Sequence, residues 1–299
     1  MRILLAYDGT RGADAALDDL ARAGLPATGE ALVLAAADVP WDATPPERGP
    51  LGAFAAGRHG RGRGWFALED ALAAAARGES RVRAALPGWH VTHEGLVGDA
   101  ATVVMDRADA WRPDLVVVGS HAVATTAHRS FGSVARRIVT SAHCSVRVGR
   151  PRSAEAARRA GVRIVLGTDG SPDAEAALAA VAARNWPSGS AAVVVCAVDP
   201  VLASLDAPEG GTETVPWKVL RDLVHAAAER LHGGGLAAAP HLTEGDARKV
   251  LVTEAERLAA DAIVVGARGR GRSDATSLLG GVAASVVARA PCSVEIVRG

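Results

Sequence analysis

The chain has 299 residues, the length of two ordinary domains, and its 33 Lys and Arg residues balance its 33 Asp and Glu residues. This balance leaves no field that would draw the protein to nucleic acid or to an anionic membrane. No apolar run approaches the roughly 18 residues that span a bilayer, and the first apolar strand starts almost at Met1, which leaves no room for a signal peptide. We therefore expect a soluble, cytoplasmic protein with neither nucleic acid nor membrane as a partner.

Ten short apolar segments alternate with amphipathic stretches and are predicted to be strands. The first half contains Ile3–Tyr7, Ala31–Ala37, His90–Glu94, Leu115–Val118 and Ser145–Val148. The second half contains Val162–Thr168, Ala192–Val198, Pro240–Thr243, Ala262–Val265 and Ser293–Val297. Strands that alternate with helices predict an α/β fold, here two tandem doubly wound domains. Each is expected to be a five-stranded parallel sheet of order 3-2-1-4-5 with helices on both faces.

The two halves repeat the same short sequences in the same order. Tyr7-Asp8-Gly9-Thr10 returns as Thr168-Asp169-Gly170-Ser171, Gly98-Asp99-Ala100 as Gly245-Asp246-Ala247, and Asp114–Gly119 as Asp261–Gly266. The repeat predicts one domain over residues 1–150 and a second over residues 160–299. The last strand of each half would be an exposed apolar edge if it stayed unpaired, so we expect the halves to pack as a pseudo-twofold pair. Whether the chain also forms a homodimer is left open.

An insertion distinguishes the first half. The offset between equivalent residues is 161 before the third strand and 147 after it, so the first half carries 14 extra residues. This region includes the Arg- and Gly-rich run Gly57–Gly64. We favour a flexible loop over a phosphate-binding role, because the run does not join a strand to a helix as a phosphate loop does.

Local signals also mark helices. Ser171 and Pro172 form a helix start, with Ser as the N-cap and Pro as the first helical residue, and Asp99 and Asp246 can cap the third helix of each half. One further helix is predicted by a buried stripe at helical spacing, formed by Trp217, Leu220, Val224, Ala227 and Leu231.

The cysteines and histidines do not predict a metal site. Cys144, Cys196 and Cys292 have none of the spacings of a metal knuckle, which favours buried structural thiols. His90 and His93 lie three apart in a predicted strand and would point to opposite faces. For His121 and His128, which follow the fourth strand, a solvated loop is favoured over ligand contact.

The chemistry is expected where the strand order reverses, between the first and fourth strands of each half. Asp8 or Asp169 ends the first strand, and a loop of small residues begins at Gly119 or Gly266 after the fourth. Backbone amides of such a loop and the following helix N-terminus suit an anion, so a nucleotide fits with its base or ribose near the Asp and its phosphates on the loop. The alternative is that each Asp merely caps the next helix.

At these residues the chain resembles the universal stress protein family, over nearly the whole of both halves. The resemblance rests on Thr168-Asp169-Gly170-Ser171, on Gly266-Ala-Arg-Gly269 and on the ending Ala290–Val297. It implies ATP, accompanied by Mg²⁺, bound by the Asp, the glycine loop and a terminal Gly-Ser pair. The residues expected to bind it are Asp8, Gly9, Gly119, Gly132 and Ser133 in the first half, and Asp169, Gly170, Gly266, Arg268, Gly269, Gly280 and Gly281 in the second.

Each half departs from the family pattern at a different point. The first has Ala122 where the second loop glycine belongs, and its methyl group would add strain if that position needs a positive φ and would crowd a phosphate. The second has ten residues rather than nine before Gly280, and Gly281 replaces the hydroxyl residue. Added loop length costs little, and Arg268 and Arg270 add positive charge, so we predict that the second half binds ATP better.

These features favour a non-catalytic, ATP-binding regulatory protein of the stress-response type. The alternative is a protein-interaction module of the same fold that has lost nucleotide binding in one or both halves, with protein partners that the sequence does not identify. An enzyme is disfavoured, because the chain has no P-loop, no His-x-Gly-His segment, and no interpretable arrangement of nucleophile, His and Asp.

Overall fold

The computed structural model describes residues 1–37, 63–120, 132–199, 215–270 and 278–299. In the first half the strands are β1 (Arg2–Ala6), β2 (Gly29–Ala37), β3 (Trp89–Val97), β4 (Leu115–Gly119) and β5 (Ser145–Gly149). The helices are α1 (Arg11–Leu20), α2 (Arg63–Ala85), α3 (Ala100–Trp111) and α4 (Ser133–Ser141). The run Gly57–Gly64 lies largely outside the described residues, and His121, Ala122 and His128 lie outside them entirely.

The second half repeats this order after a short linker helix, α5 (Ala154–Ala157). Its strands are β6 (Arg163–Gly167), β7 (Ala191–Val198), β8 (Ala237–Glu244), β9 (Ala262–Gly266) and β10 (Ser293–Val297). Its helices are α6 (Pro172–Ala182), α7 (Val215–Gly233), α8 (Ala247–Arg257) and α9 (Gly281–Arg289). All ten predicted strands are present, and their ends differ from the predicted ones by at most three residues.

The strand order confirms two doubly wound halves. The sheet runs β3-β2-β1-β4-β5-β10-β9-β6-β7-β8, so each half has the order 3-2-1-4-5. Every pairing within a half is parallel, whereas β5 and β10 pair antiparallel and join the halves into one ten-stranded sheet. The two last strands therefore meet, as expected for apolar edges that would otherwise be exposed. In this pairing Arg147 lies opposite Glu295.

Hydrophobic packing differs on the two faces of the sheet. We call the antiparallel pairing of β5 with β10 the seam. On one face of the sheet a single core runs across this seam, with Ile138 of α4 and Val286 of α9 packed over Val146 and Ile296. On the other face each half has its own core, one around α1 and α2 and one around α6 and α7. The seam is therefore part of the hydrophobic core and not a contact between two separately folded surfaces.

A buried ion network fills the seam on the second face. The Arg147 guanidinium lies 2.6 Å from Asp19 and 3.0 Å from Glu295, and Arg184 binds the same Glu295 carboxylate at 2.9 Å. Burial alone would raise the pKa of Glu295, but Arg184 and Arg147 outweigh it and lower that pKa below its usual range. Burial would likewise lower the pKa of Arg147, yet the two carboxylates raise it.

The predicted caps are confirmed. The Ser171 hydroxyl accepts the Ala174 amide at 3.3 Å, with Pro172 opening α6. Asp99 and Asp246 accept the amides at the start of α3 and α8, at 3.0 and 2.9 Å. These side chains replace intrahelical partners that the first turn of a helix lacks.

Most of the remaining local predictions also hold. Cys196 and Cys292 are buried, and burial raises the pKa of their thiols to about 11 and about 12, whereas Cys144 is only partly buried. In α7 the C-terminal part of the predicted stripe is buried, namely Val224, Ala227 and Leu231. Its N-terminal residues Trp217 and Leu220 are partly exposed.

The described residues show neither a cluster of metal ligands nor a membrane-spanning helix. No group of three or more His, Cys, Asp or Glu side chains in that part of the chain could hold a metal ion. Among the helices described, none combines the length and the apolar character needed to cross a membrane.

Candidate functional site

A cavity of about 260 Å³ lies at the carboxyl ends of the central strands of the second half. Because β6 pairs in parallel with β7 on one side and β9 on the other, the strand order reverses at β6. The cavity is lined by the residues that follow β6 and β9, by the ends of β7, and by the starts of α8 and α9. It is therefore located where open α/β sheets bind their ligands.

Asp169 connects the two loops that form this cavity. Its Oδ1 accepts the Ser171 amide at 2.9 Å, within its own turn, and its Oδ2 accepts the Arg270 amide at 2.8 Å, from the loop after β9. The alternative that Asp169 caps α6 is wrong, because the N-cap is Ser171. In the first half Thr10 is likewise the N-cap, and Asp8 accepts the Thr10 amide at 2.9 Å.

Helix α9 presents its N-terminus to the cavity. Its N-cap, Gly280, has no side chain to satisfy the first turn, and the amides of Gly281, Val282 and Ala283 have no acceptor within the helix. All four residues line the cavity. This end of the helix carries the positive end of its dipole, so the cavity wall is suited to a negatively charged group.

The loop glycines are required by close packing. A Cβ on Gly266 would lie 2.6 Å from the Asp173 backbone of α6, and one on Gly269 would lie 2.6 Å from Asp169 Oδ2. Gly119 of the first half meets the α1 backbone in the same way, at 2.5 Å. Gly266 and Gly269 both line the cavity, so the absent side chains also leave its backbone accessible.

Gly170 and Gly9 serve a different purpose. Their φ angles are +72° and +75°, in the left-handed region that side chains other than glycine rarely adopt, and each follows the Asp in an Asp-Gly turn. Neither lines the cavity, which is consistent with a role in shaping the turn.

The two arginines of the loop are already engaged. Arg268 lines the cavity, and it donates its backbone N–H and its Nε to Asp173 Oδ2 at 3.0 and 3.2 Å. Arg270 donates from Nη2 to the Gly170 carbonyl at 3.3 Å. Asp173 therefore offsets the positive charge of Arg268, whereas the side-chain hydrogen bond of Arg270 goes to a backbone carbonyl.

The corresponding residues of the first half also lie at one edge of its sheet. Asp8 follows β1 and Gly119 ends the adjacent strand β4, while Gly132 is the N-cap of α4 and Ser133 its first residue. As in α9, this helix start has no side-chain cap. The loop that joins Gly119 to Gly132 lies outside the described residues except for Ser120.

Sequence reasoning missed part of the cavity wall. Val195 and Ala197 of β7 and Ala247 and Leu251 of α8 line it, and all four are apolar. The duplicated Gly245-Asp246-Ala247 segment was a signal for the start of α8, although it was interpreted only as a helix cap.

This architecture defines a class: a tandem, doubly wound α/β protein with a crevice at its switch point and a helix N-terminus in the crevice wall. The model of the universal stress protein family matches residues 1–150 and 162–298. The chain belongs to this family. No curated protein sequence matches the chain.

Solved structures share the fold over the full length of the chain. A universal stress protein from Archaeoglobus fulgidus DSM 4304 has a TM-score of 0.65 and 16% identity, over 99% of this chain and 98% of that one. A functionally unknown protein from Pseudomonas aeruginosa PAO1 has a TM-score of 0.57 and 15% identity, over 99% and 92%. At these identities the likeness extends to the fold.

Proposed function

We propose that the second-half crevice binds an adenine nucleotide, ATP, and that the protein acts as a regulator in the universal stress response rather than as an enzyme. The observation that carries this proposal is the cavity at the switch point, with the uncapped N-terminus of α9 in its wall. Amides of a first helical turn are arranged to bind phosphate oxygens, and the helix dipole favours negative charge there.

The residues of the cavity fit the two ends of a nucleotide. The amides of Gly281, Val282 and Ala283 would hold phosphate, while Val195 and Ala197 offer an apolar wall beside Asp169 for the base and ribose. Mg²⁺ would arrive with the phosphates, because this ion keeps most of its water and binds proteins through few carboxylates.

Slow turnover is part of the proposal. Among the described residues that line the cavity the single carboxylate belongs to Asp169, and both of its oxygens already accept backbone amides. A phosphoryl transfer needs a group to position the attacking water and ligands to place the metal. We expect ATP hydrolysis far below about 1 per second, the low end of ordinary enzyme rates. Hydrolysis at that rate or faster, abolished by Asp169→Ala, would overturn this part.

The direct test is the nucleotide content of the purified protein. Mass spectrometry after denaturation detects a tightly held nucleotide, and calorimetric titration with ATP and GTP measures affinity and base preference on protein freed of it. Binding of ATP with about one site per chain supports the proposal. Absence of both copurified nucleotide and measurable heat with ATP contradicts it.

That contradicting result would favour the alternative, a protein-interaction module of the same fold. One observation supports this alternative: the charges around the cavity are paired within the protein, Arg268 with Asp173 and Asp169 with two amides. Binding of phosphate would then depend on backbone amides, those of α9 included.

A further inference from the structure

Arg150 of the first half reaches across the seam to the far end of α9. Its backbone N–H donates to Ser293 Oγ at 3.0 Å, its Nη1 to the Cys292 carbonyl at 3.1 Å, and its Nη2 to the Val287 carbonyl. Arg150 is buried, with 6% of its surface exposed. Val287 lies in the last turn of α9, where carbonyl groups lack intrahelical partners.

Arg298 of the second half makes the equivalent contact with the first half. Arg298 donates its backbone N–H to Ser145 Oγ at 3.3 Å, its Nη1 to the Cys144 carbonyl at 2.9 Å and its Nη2 to the Val139 carbonyl in α4 at 2.6 Å. Each of these residues lies 148 positions from its counterpart in the first set. The same atoms make the same three bonds in both directions, so the exchange follows the pseudo-twofold relation of the halves.

Each exchanged arginine therefore holds a helix that begins at the other half's crevice. Helix α9 starts at Gly281 in the wall of the second cavity and, with nine residues, is about 13 Å long. A packed helix of this length moves as a rigid body, so the position of its last turn determines the position of its first. A cation at the C-terminus and an anion at the N-terminus are both favoured by the same dipole.

We propose that Arg150 is a positioning residue for the nucleotide site of the second half, and that Arg298 has the same role for the first. This inference rests on the proposed function. By the reciprocity of linked equilibria, nucleotide in one crevice would also tighten the contact that the other half makes with the helix behind it. The helix in the wall of each crevice is then held in place by an arginine of the other half.

The test compares matched variants of the full chain. We expect Arg150→Met to weaken ATP binding at the second-half site by about 3- to 10-fold, from the usual range of charge interactions at partly buried helix ends. Arg150→Lys should recover part of the loss, because a cation remains at the helix end. Arg298→Met removes the equivalent bonds and should change this affinity by less than about twofold, since its helix is α4.

Arg298 also lies within electrostatic reach of Asp173, so Arg298→Lys, which keeps the charge, is a second control. Hydrogen exchange in nucleotide-free protein supplies an independent readout. Arg150→Met should speed exchange of the α9 amides and spare those of α4, and Arg298→Met should do the reverse.

The outcomes separate the two proposals. If wild-type protein binds no ATP, the proposed function fails and this inference fails with it. If wild-type protein binds ATP and Arg150→Met binds it equally well, the inference alone is overturned. Equal weakening by Arg150→Met and Arg298→Met, with unselective exchange, would also overturn it, because a merely structural role affects both crevices alike.

Discussion

The two halves share their strand order, their helix caps and their exchanged arginines. They differ at the central residue of the pairing between β5 and β10. Arg147 of β5 lies opposite Glu295 of β10, and the two residues are equivalent in the repeat. In a symmetric pair of identical chains such a residue faces its own copy, so a charge there would meet a like charge. Duplication within one chain removes that restriction and allows a buried ion pair.

A second difference lies at the start of the helix behind each crevice. The first half has Ser133 at the opening of α4, and the second has Gly281 at the opening of α9. One half keeps a hydroxyl group beside the first helical amides, and the other leaves open space where a side chain would be. The halves have therefore diverged both at the seam and at the site, while the surrounding fold stayed the same.

The largest expected effect comes from the seam. Arg147→Met leaves Asp19 without its buried partner and removes one of the two arginines that bind Glu295. We therefore expect the free energy of unfolding to fall by about 3–5 kcal/mol. Urea unfolding followed by circular dichroism measures it. The double variant Arg147→Met/Asp19→Leu removes the carboxylate that would be left unpaired, while Arg184 still binds Glu295, and it should recover part of the loss. A loss below about 1 kcal/mol in the single variant would indicate that the network contributes little.

The crevice comparison predicts the next effect. Asp169→Ala removes the link between the β6 turn and the loop after β9, so ATP affinity should fall at least about tenfold, equivalent to 1.4 kcal/mol. Asp8→Ala is the matched control in the first half and should have a smaller effect. Calorimetric titration compares them. If Asp8→Ala abolishes binding and Asp169→Ala leaves it intact, the first half is the better binder and the prediction is wrong.

Acid should weaken the seam through Glu295. Its pKa is lowered in the folded protein, so its contribution to stability is complete above the usual carboxyl value of 4.5 and is lost as the pH falls through the lowered pKa. The urea midpoint of wild-type protein should therefore drop as the pH falls below that value. Glu295→Gln should show a flatter dependence over the same range, and parallel curves for the two proteins would contradict the assignment.

The smallest effect concerns the helix starts. Open space surrounds a Cβ built on Gly281, so Gly281→Ser should be accommodated and add a hydroxyl beside the α9 amides. One hydrogen bond contributes about 0.5–1.5 kcal/mol, so we expect ATP affinity to rise by about 2- to 10-fold. Gly281→Ala adds the Cβ atom as a methyl group, without the hydroxyl, and serves as the control. Equal affinity of the Ser and Ala variants would show that the hydroxyl has no role.

Part of the site followed from local sequence. The Asp-Gly turns, the loop glycines and the starts of α4 and α9 lie at strand ends, and strand ends can be read from apolar segments and breakers. The apolar wall was harder to predict: Val195 and Leu251 have the same sequence appearance as core residues elsewhere in the chain, and only the position of α8 over the strand ends makes them part of the cavity.

Local sequence was enough to predict the duplicated α/β plan, the ten strands and the helix caps, because each depends on residues a few positions apart and on a regular spacing of apolar side chains. The pairing of Arg268 with Asp173, of Asp169 with the Arg270 amide and of Arg147 with Glu295 arises only in the folded protein. These partners lie 95, 101 and 148 residues apart. No local period links such distant residues, so their pairing depends on how the strands are ordered and how the helices pack across them.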